Sequence, residues 1–138
     1  MQEKIQQKEE ILDKNGSLLA LIINTNLTNL KKEFHTKNDQ NFQVGTFNLS
    51  KGESLDRHVH LENTRNINRT SEVLIILEGV LEVEIFDSFK NFINTKVLTK
   101  GYLILFLKGG HSFKVNQDCK FIEVKQGPYS EGLDKEKF

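Results

Sequence analysis

The chain has one cysteine, Cys119, so no disulfide can form within it, and the sequence suits a reducing compartment. Asp118 precedes it and no histidine is near it in sequence, an environment that disfavours a thiolate and gives Cys119 a structural reading. Proline is equally scarce: Pro128 is the only one, and it follows the last β-rich run. Neither sign of charge dominates, because 19 Lys and Arg balance 19 Asp and Glu. Without a long-range positive field, nucleic acid and anionic membranes are not expected partners. No apolar run reaches the roughly 20 residues of a membrane helix, and the polar opening MQEKIQQKEE lacks the apolar stretch of a secretory signal. These absences lead to the expectation of a soluble, cytoplasmic protein. No repeat of solenoid period is visible either.

What is present is a globular composition, 37% apolar and 28% charged, in 138 residues, enough for one hydrophobic core. Gln2 to Asp13 places Ile5, Ile11 and Leu12 at loosely helical spacing, which predicts a short helix. Asn15-Gly16 is a turn signal, and the apolar run from Ser17 to Asn24 predicts a buried strand. Residues 25–41 are mostly polar and predict a loop or a short irregular helix. From Phe42 onward short β-rich runs follow one another: FQVGTFNLS, EVLIILEG, VLEVEIFD, FINTKVL, YLILFL, HSFKV and KFIEVK. Turn residues such as Lys51-Gly52, Lys100-Gly101 and Gly109-Gly110 separate them. In VLEVEIFD, Val83 and Ile85 alternate with Glu82 and Glu84, as a strand with one wet face requires. The pattern predicts an all-β, antiparallel sandwich or jelly roll. The expected organisation is an N-terminal extension over residues 1–41, a barrel over 42–127, and a polar tail over 128–138 that wraps the surface or docks on a neighbour.

Chemistry enters with His58 and His60, which have the H-x-H spacing. On a strand, residues two apart project from one face, so both imidazoles can converge on one metal ion; a wet strand face can carry the same spacing with no ligand. The two histidines end a G-x5-H-x-H pattern that begins at Gly52, and Glu72 begins an E-x6-G pattern that ends at Gly79. Together these resemble the first motif of the cupin superfamily. The run GYLILFLKGGHSFKVN, from Gly101 to Asn116, resembles the second. The resemblance extends from about Phe42 to Gln126. It implies an antiparallel cupin (jelly-roll) barrel in which His58, His60, Glu72 and His111 hold one divalent metal ion. This nitrogen and oxygen donor set suits Zn, Mn, Fe, Ni, Co or Cu.

Three departures from the family pattern stand out. An insertion, LENTRNINRT, lengthens the gap between His60 and Glu72 and must loop out. Glu62 within it is a nearer, rival carboxylate, but no E-x6-G follows it. Leu107 stands where the motif has proline. His111 comes one residue early, so Ser112 holds the usual histidine position while Asn116 keeps its distance from Gly101. A one-residue slip turns a strand side chain to the other face, unless Gly109-Gly110 absorbs it in a bulge or tightened turn.

The ending FIEVKQGPY resembles small cupin metalloproteins of the WbuC type and so implies a carbohydrate setting. In that setting the metal would act as a Lewis acid in a sugar or sugar-nucleotide isomerase or epimerase. The alternatives are an iron-dependent oxygenase and a non-catalytic module for a sugar or anion. Glu123 and Lys125 share a face of the last strand, where Glu123 is the candidate acid-base group and Lys125 a pocket residue; a solvated ion pair is the plainer reading. Tyr102 is a second candidate proton donor. Arg57, Arg65 and Arg69, in or beside the insertion, are candidates for an anionic substrate group, or a solvated loop. His35 receives no function. Cupins commonly associate, so a homodimer is expected.

Overall fold

A computed structural model describes residues 6–138. The chain forms two compact units, one running up to Leu27 and resuming from Arg69 to Phe138, the other Thr28–Asn68. All strand pairings are antiparallel, as the alternating runs predict.

The first unit begins with β1 (Lys8–Leu12) and β2 (Leu18–Asn24), followed by a single 3-10 turn at Thr25–Leu27. The helix expected over Gln2 to Asp13 is corrected here. Its start lies outside the described residues, and Lys8–Leu12 is a strand laddered to β2 from Lys8↔Ile23 onward. Of Lys8–Leu12 only Ile11 is buried, too little for a helical stripe, whereas the ladder to β2 pairs the backbone along one edge of the strand. The connection is set by Asp13, whose Oδ1 accepts the Asn15 and Ser17 amides, both at 2.9 Å, while Gly16 takes φ +80°.

After residue 68 the first unit resumes with β5 (Glu72–Glu78), β6 (Val80–Phe86), β7 (Phe92–Thr99), β8 (Tyr102–Phe106), β9 (Gly110–Val115) and β10 (Lys120–Lys125). They form a five-stranded sheet, β1-β2-β8-β5-β10, and a three-stranded sheet, β7-β6-β9. The strand runs SLLALIIN and YLILFL are continuously apolar because β2 and β8 are central and buried on both faces. VLEVEIF on β6 instead buries Leu81, Val83 and Ile85 in strict alternation. One core joins the two sheets through Leu74, Ile76, Ile104 and Phe106 from the first and Leu81, Val83, Ile85 and Leu98 from the second. A salt bridge from Lys96 on β7 to Glu9 on β1 links them at the margin. In the tail, Phe138 packs edge-on against Phe86 at 5.1 Å and Glu136 pairs with Lys90 at 3.0 Å, so this segment docks on its own sheet. Among the described residues the sheets stay open, with no closed barrel, and no helix is long and apolar enough to cross a membrane.

Gly79 is the corner at which the chain leaves the five-stranded sheet and enters the other. It has φ +79°, and a Cβ there would collide with the backbone carbonyl of Asp118. This is the physical content of the glycine that closes the E-x6-G pattern. Gly79→Ala is expected to lose more than about 1 kcal/mol of stability in urea unfolding, since both the left-handed strain and the backbone clash oppose it.

The second unit contains β3 (Lys32–Phe34) and β4 (Gly45–Phe47), a two-stranded pair with Lys32 opposite Phe47. β3 falls in the stretch expected to be loop or irregular helix, and FQVGTFNLS keeps only three residues as strand. His35 is buried beside them, its Nε2 2.9 Å from Thr46 Oγ1. Residues 51–70 carry no strand, which corrects the reading of H-x-H on a strand. Val59 and Leu61, which alternate with the histidines, are 81% and 82% exposed, so no apolar face is buried to hold a ladder.

Candidate acid-base and metal site

Glu72 opens β5 with its side chain on the inner face of the sheet, the face of Leu74 and Ile76. Across the ladders its direct neighbours are Phe106 on β8 and Lys125 on β10, and Glu123 follows on the same face of β10, opposite Leu74. The three-stranded sheet contributes His111, which pairs with buried Ile85 and therefore faces the interior. His111 Nε2 lies 3.6 Å from Glu72 Oε2.

The direction of His111 is set by the turn before it. Gly109 has φ +82°, at a point where a Cβ would strike the Phe86 carbonyl, and Gly110 opens the ladder opposite Phe86. Ser112, the next residue, lies opposite Glu84 and donates its hydroxyl to Glu84 Oε2 at 2.8 Å on the outer face. Ser112→Ala is expected to change stability by no more than about 0.5 kcal/mol and to leave zinc affinity unaltered, as checked by urea unfolding and zinc titration.

Burial pushes Glu72 up, but its polar neighbours His111 and Glu123, together with the positive charges of His111 and Lys125, outweigh it and hold the carboxyl at about 2. Glu123 moves the other way, raised by the neighbouring Glu72 carboxyl and its charge and by burial. The two carboxyls are thus pushed apart, so that of the pair Glu123 binds a proton more readily and Glu72 is the carboxylate. Burial likewise raises the Cys119 thiol, in keeping with its structural reading.

Aromatic rings pack around His111. Phe106 stacks on the imidazole at 4.0 Å and 21°, Phe113 at 5.0 Å and 21°, and Phe121 meets Phe113 at 6.0 Å. These neighbours were not singled out from the sequence. Their signal was the period of two, since Phe113 follows His111 by two on β9 and Phe121 precedes Glu123 by two on β10. Tyr102 is not brought to this cluster: it lies four residues along β8 from Phe106, about 13 Å at strand rise, and its hydroxyl accepts from Asn24 Nδ2 at 3.4 Å. Lys125 Nζ also lies 5.5 Å from the Tyr129 ring.

In the second unit His58 and His60 meet edge to face at 5.2 Å. His58 Nδ1 is 2.9 Å from the Asp56 carbonyl, an oxygen that can only accept, so Nδ1 donates and Nε2 keeps its lone pair in the neutral ring. That arrangement is the one metal-ligating imidazoles ordinarily show. Glu62, Arg57 and Arg65 are exposed in the same segment, and Arg69 is exposed where the first unit resumes.

Each unit, taken by itself, holds donors that suit a metal ion. Bonds of about 2.1 Å separate two ligand atoms on one ion by about 3.0–3.4 Å, and His111 Nε2 and Glu72 Oε2 stand close to that spacing. The His58 tautomer presents a free nitrogen. Among the described residues, no group of three or more His, Cys, Asp or Glu side chains is arranged to hold an ion. In comparisons with family models, with curated proteins and with solved structures, none matches this chain.

Proposed function

We propose that the chain is a metal-binding cupin that holds one divalent ion through His58, His60, Glu72 and His111 and acts on a small polar metabolite, a sugar or sugar nucleotide, as an isomerase or epimerase. The observation that carries this reading is the meeting of His111 and Glu72 from two different sheets, 3.6 Å apart, beside a second carboxyl. The bound ion would supply Lewis acidity toward a carbonyl or hydroxyl. Glu72 serves as an anionic ligand because its carboxyl is held low. Glu123, whose raised proton affinity makes its carboxylate the stronger base, takes the proton from the carbon next to the carbonyl and, so protonated, returns one to the substrate. Lys125, with Arg57, Arg65 and Arg69, binds an anionic group of the substrate.

Metal analysis of protein purified without a histidine tag, followed by assay against sugar nucleotides, tests this reading. A redox-inert ion with epimerisation supports it. Iron with dioxygen consumption would turn it to an oxygenase, a loaded protein that binds sugars and converts none would be a binding module, and a protein that takes up no metal would contradict it. β1 and β10 end the five-stranded sheet as edges, and such edges invite pairing with a second copy. A homodimer follows as part of the proposal, and a monomeric mass by light scattering at micromolar concentration would exclude it.

A further inference from the structure

We infer that Phe106 is a positioning residue: its ring aims the His111 imidazole at Glu72. The inference rests on the reading of His111 and Glu72 as ligands and assigns a device that makes them meet. An imidazole on a strand has a broad χ2 and must be held from outside if its nitrogen is to point at one place. His111 is itself only partly enclosed, with 24% of its side chain exposed. Backbone pairing fixes which face it takes, through Ile85, but not the direction of the ring plane.

Phe106 has what is needed to set that direction. It is 4% exposed, belongs to the central core, and sits in the ladder between Ala20 on β2 and Glu72 on β5. One backbone register therefore places the carboxylate and the flat ring side by side. The imidazole lies on that ring at 4.0 Å, nearly parallel, with its Nε2 turned to Glu72. Phe113, two residues along β9, limits it from a second direction at 5.0 Å and 21°. Neither phenyl ring offers a hydrogen bond to the imidazole, so stacking orients the plane without engaging either ring nitrogen.

The test compares Phe106→Leu, which keeps an apolar filling but removes the flat face, with Phe106→Tyr, which keeps the face. Ile104→Val, in the same strand and core and outside the ring contacts, reports what a general loosening does. Two readouts are taken: Zn²⁺ affinity by titration, and the His111 ring C–H resonances in metal-free protein, which ring currents from Phe106 displace from those of an exposed histidine. Phe106→Leu is expected to weaken Zn²⁺ binding about 10-fold or more, the scale of groups that orient a ligand, and to return the His111 resonances toward exposed values. Phe106→Tyr is expected to restore both, and Ile104→Val to move neither. Should Phe106→Leu not fold, Phe113→Leu serves, with a smaller change in the same direction. Unchanged His111 resonances in Phe106→Leu would overturn the inference, as would loss of Zn²⁺ affinity in Ile104→Val to the same extent. If wild-type protein binds no Zn²⁺, the proposed function fails, and the metal-free resonances still decide the stacking.

Discussion

Replacing His111 with alanine is expected to lower affinity for a divalent ion by more than about 100-fold while the sheets stay folded. Groups that merely orient a ligand are typically worth about 10-fold to 100-fold, so loss of a direct donor should exceed that range. Folding should persist because His111 lies at a partly open margin of the core and its backbone ladder to β6 does not depend on the side chain. Equilibrium dialysis against zinc, with circular dichroism as the folding control, reads both parts. Wild-type affinity in the variant would remove His111 from the ligand set and leave His58, His60 and Glu72. Two histidines and one carboxylate make the facial arrangement of non-haem iron oxygenases, and preference would move to that chemistry.

The second large effect concerns the core that places Glu72. Ile104→Ala is expected to cost about 2–5 kcal/mol, read as a lower urea midpoint at unchanged slope. Ile104 is fully buried on the central strand β8, flanked in register by Ile22 on β2 and Leu74 on β5, so no neighbouring strand can collapse into the space it leaves. A domain has only about 5–15 kcal/mol in total, so this one truncation removes a large share. A loss below about 1 kcal/mol would mean that the two-sheet core is not packed as described.

The later strands were legible because their chemistry is local. VLEVEIF alternates, YLILF is continuously apolar and glycines mark their ends, so period and punctuation identify a wet-faced and a buried strand without tertiary information. The first strand was not legible. Lys8–Leu12 buries one residue and owes its conformation to pairing with β2, a partner that spacing in its own sequence cannot reveal. The region around His58 and His60 misled in the opposite sense: Val59 and Leu61 alternate with the histidines as a strand would, yet stay exposed and unladdered.

The candidate site was legible by residue type and not by arrangement. Glu72 and Glu123 lie 51 residues apart in the sequence and influence each other only because β5 and β10 are ladder neighbours. The direction of His111 hung on a one-residue slip, and only the conformation at Gly109 and the pairing of Gly110 with Phe86 decide it. Tyr102 shared the inner face in the alternation but lies at the far end of its strand, a separation that periodicity does not encode.

The ligand set itself is most directly tested by following the four histidine imidazoles by NMR while zinc is added to metal-free, untagged protein. His58, His60 and His111 are expected to shift together and to saturate at about one equivalent of zinc, as one ion sharing three imidazoles requires. His35, buried against Thr46, serves as the internal control and should not move. Shifts confined to His58 and His60, or absent from all three, would contradict the proposed site.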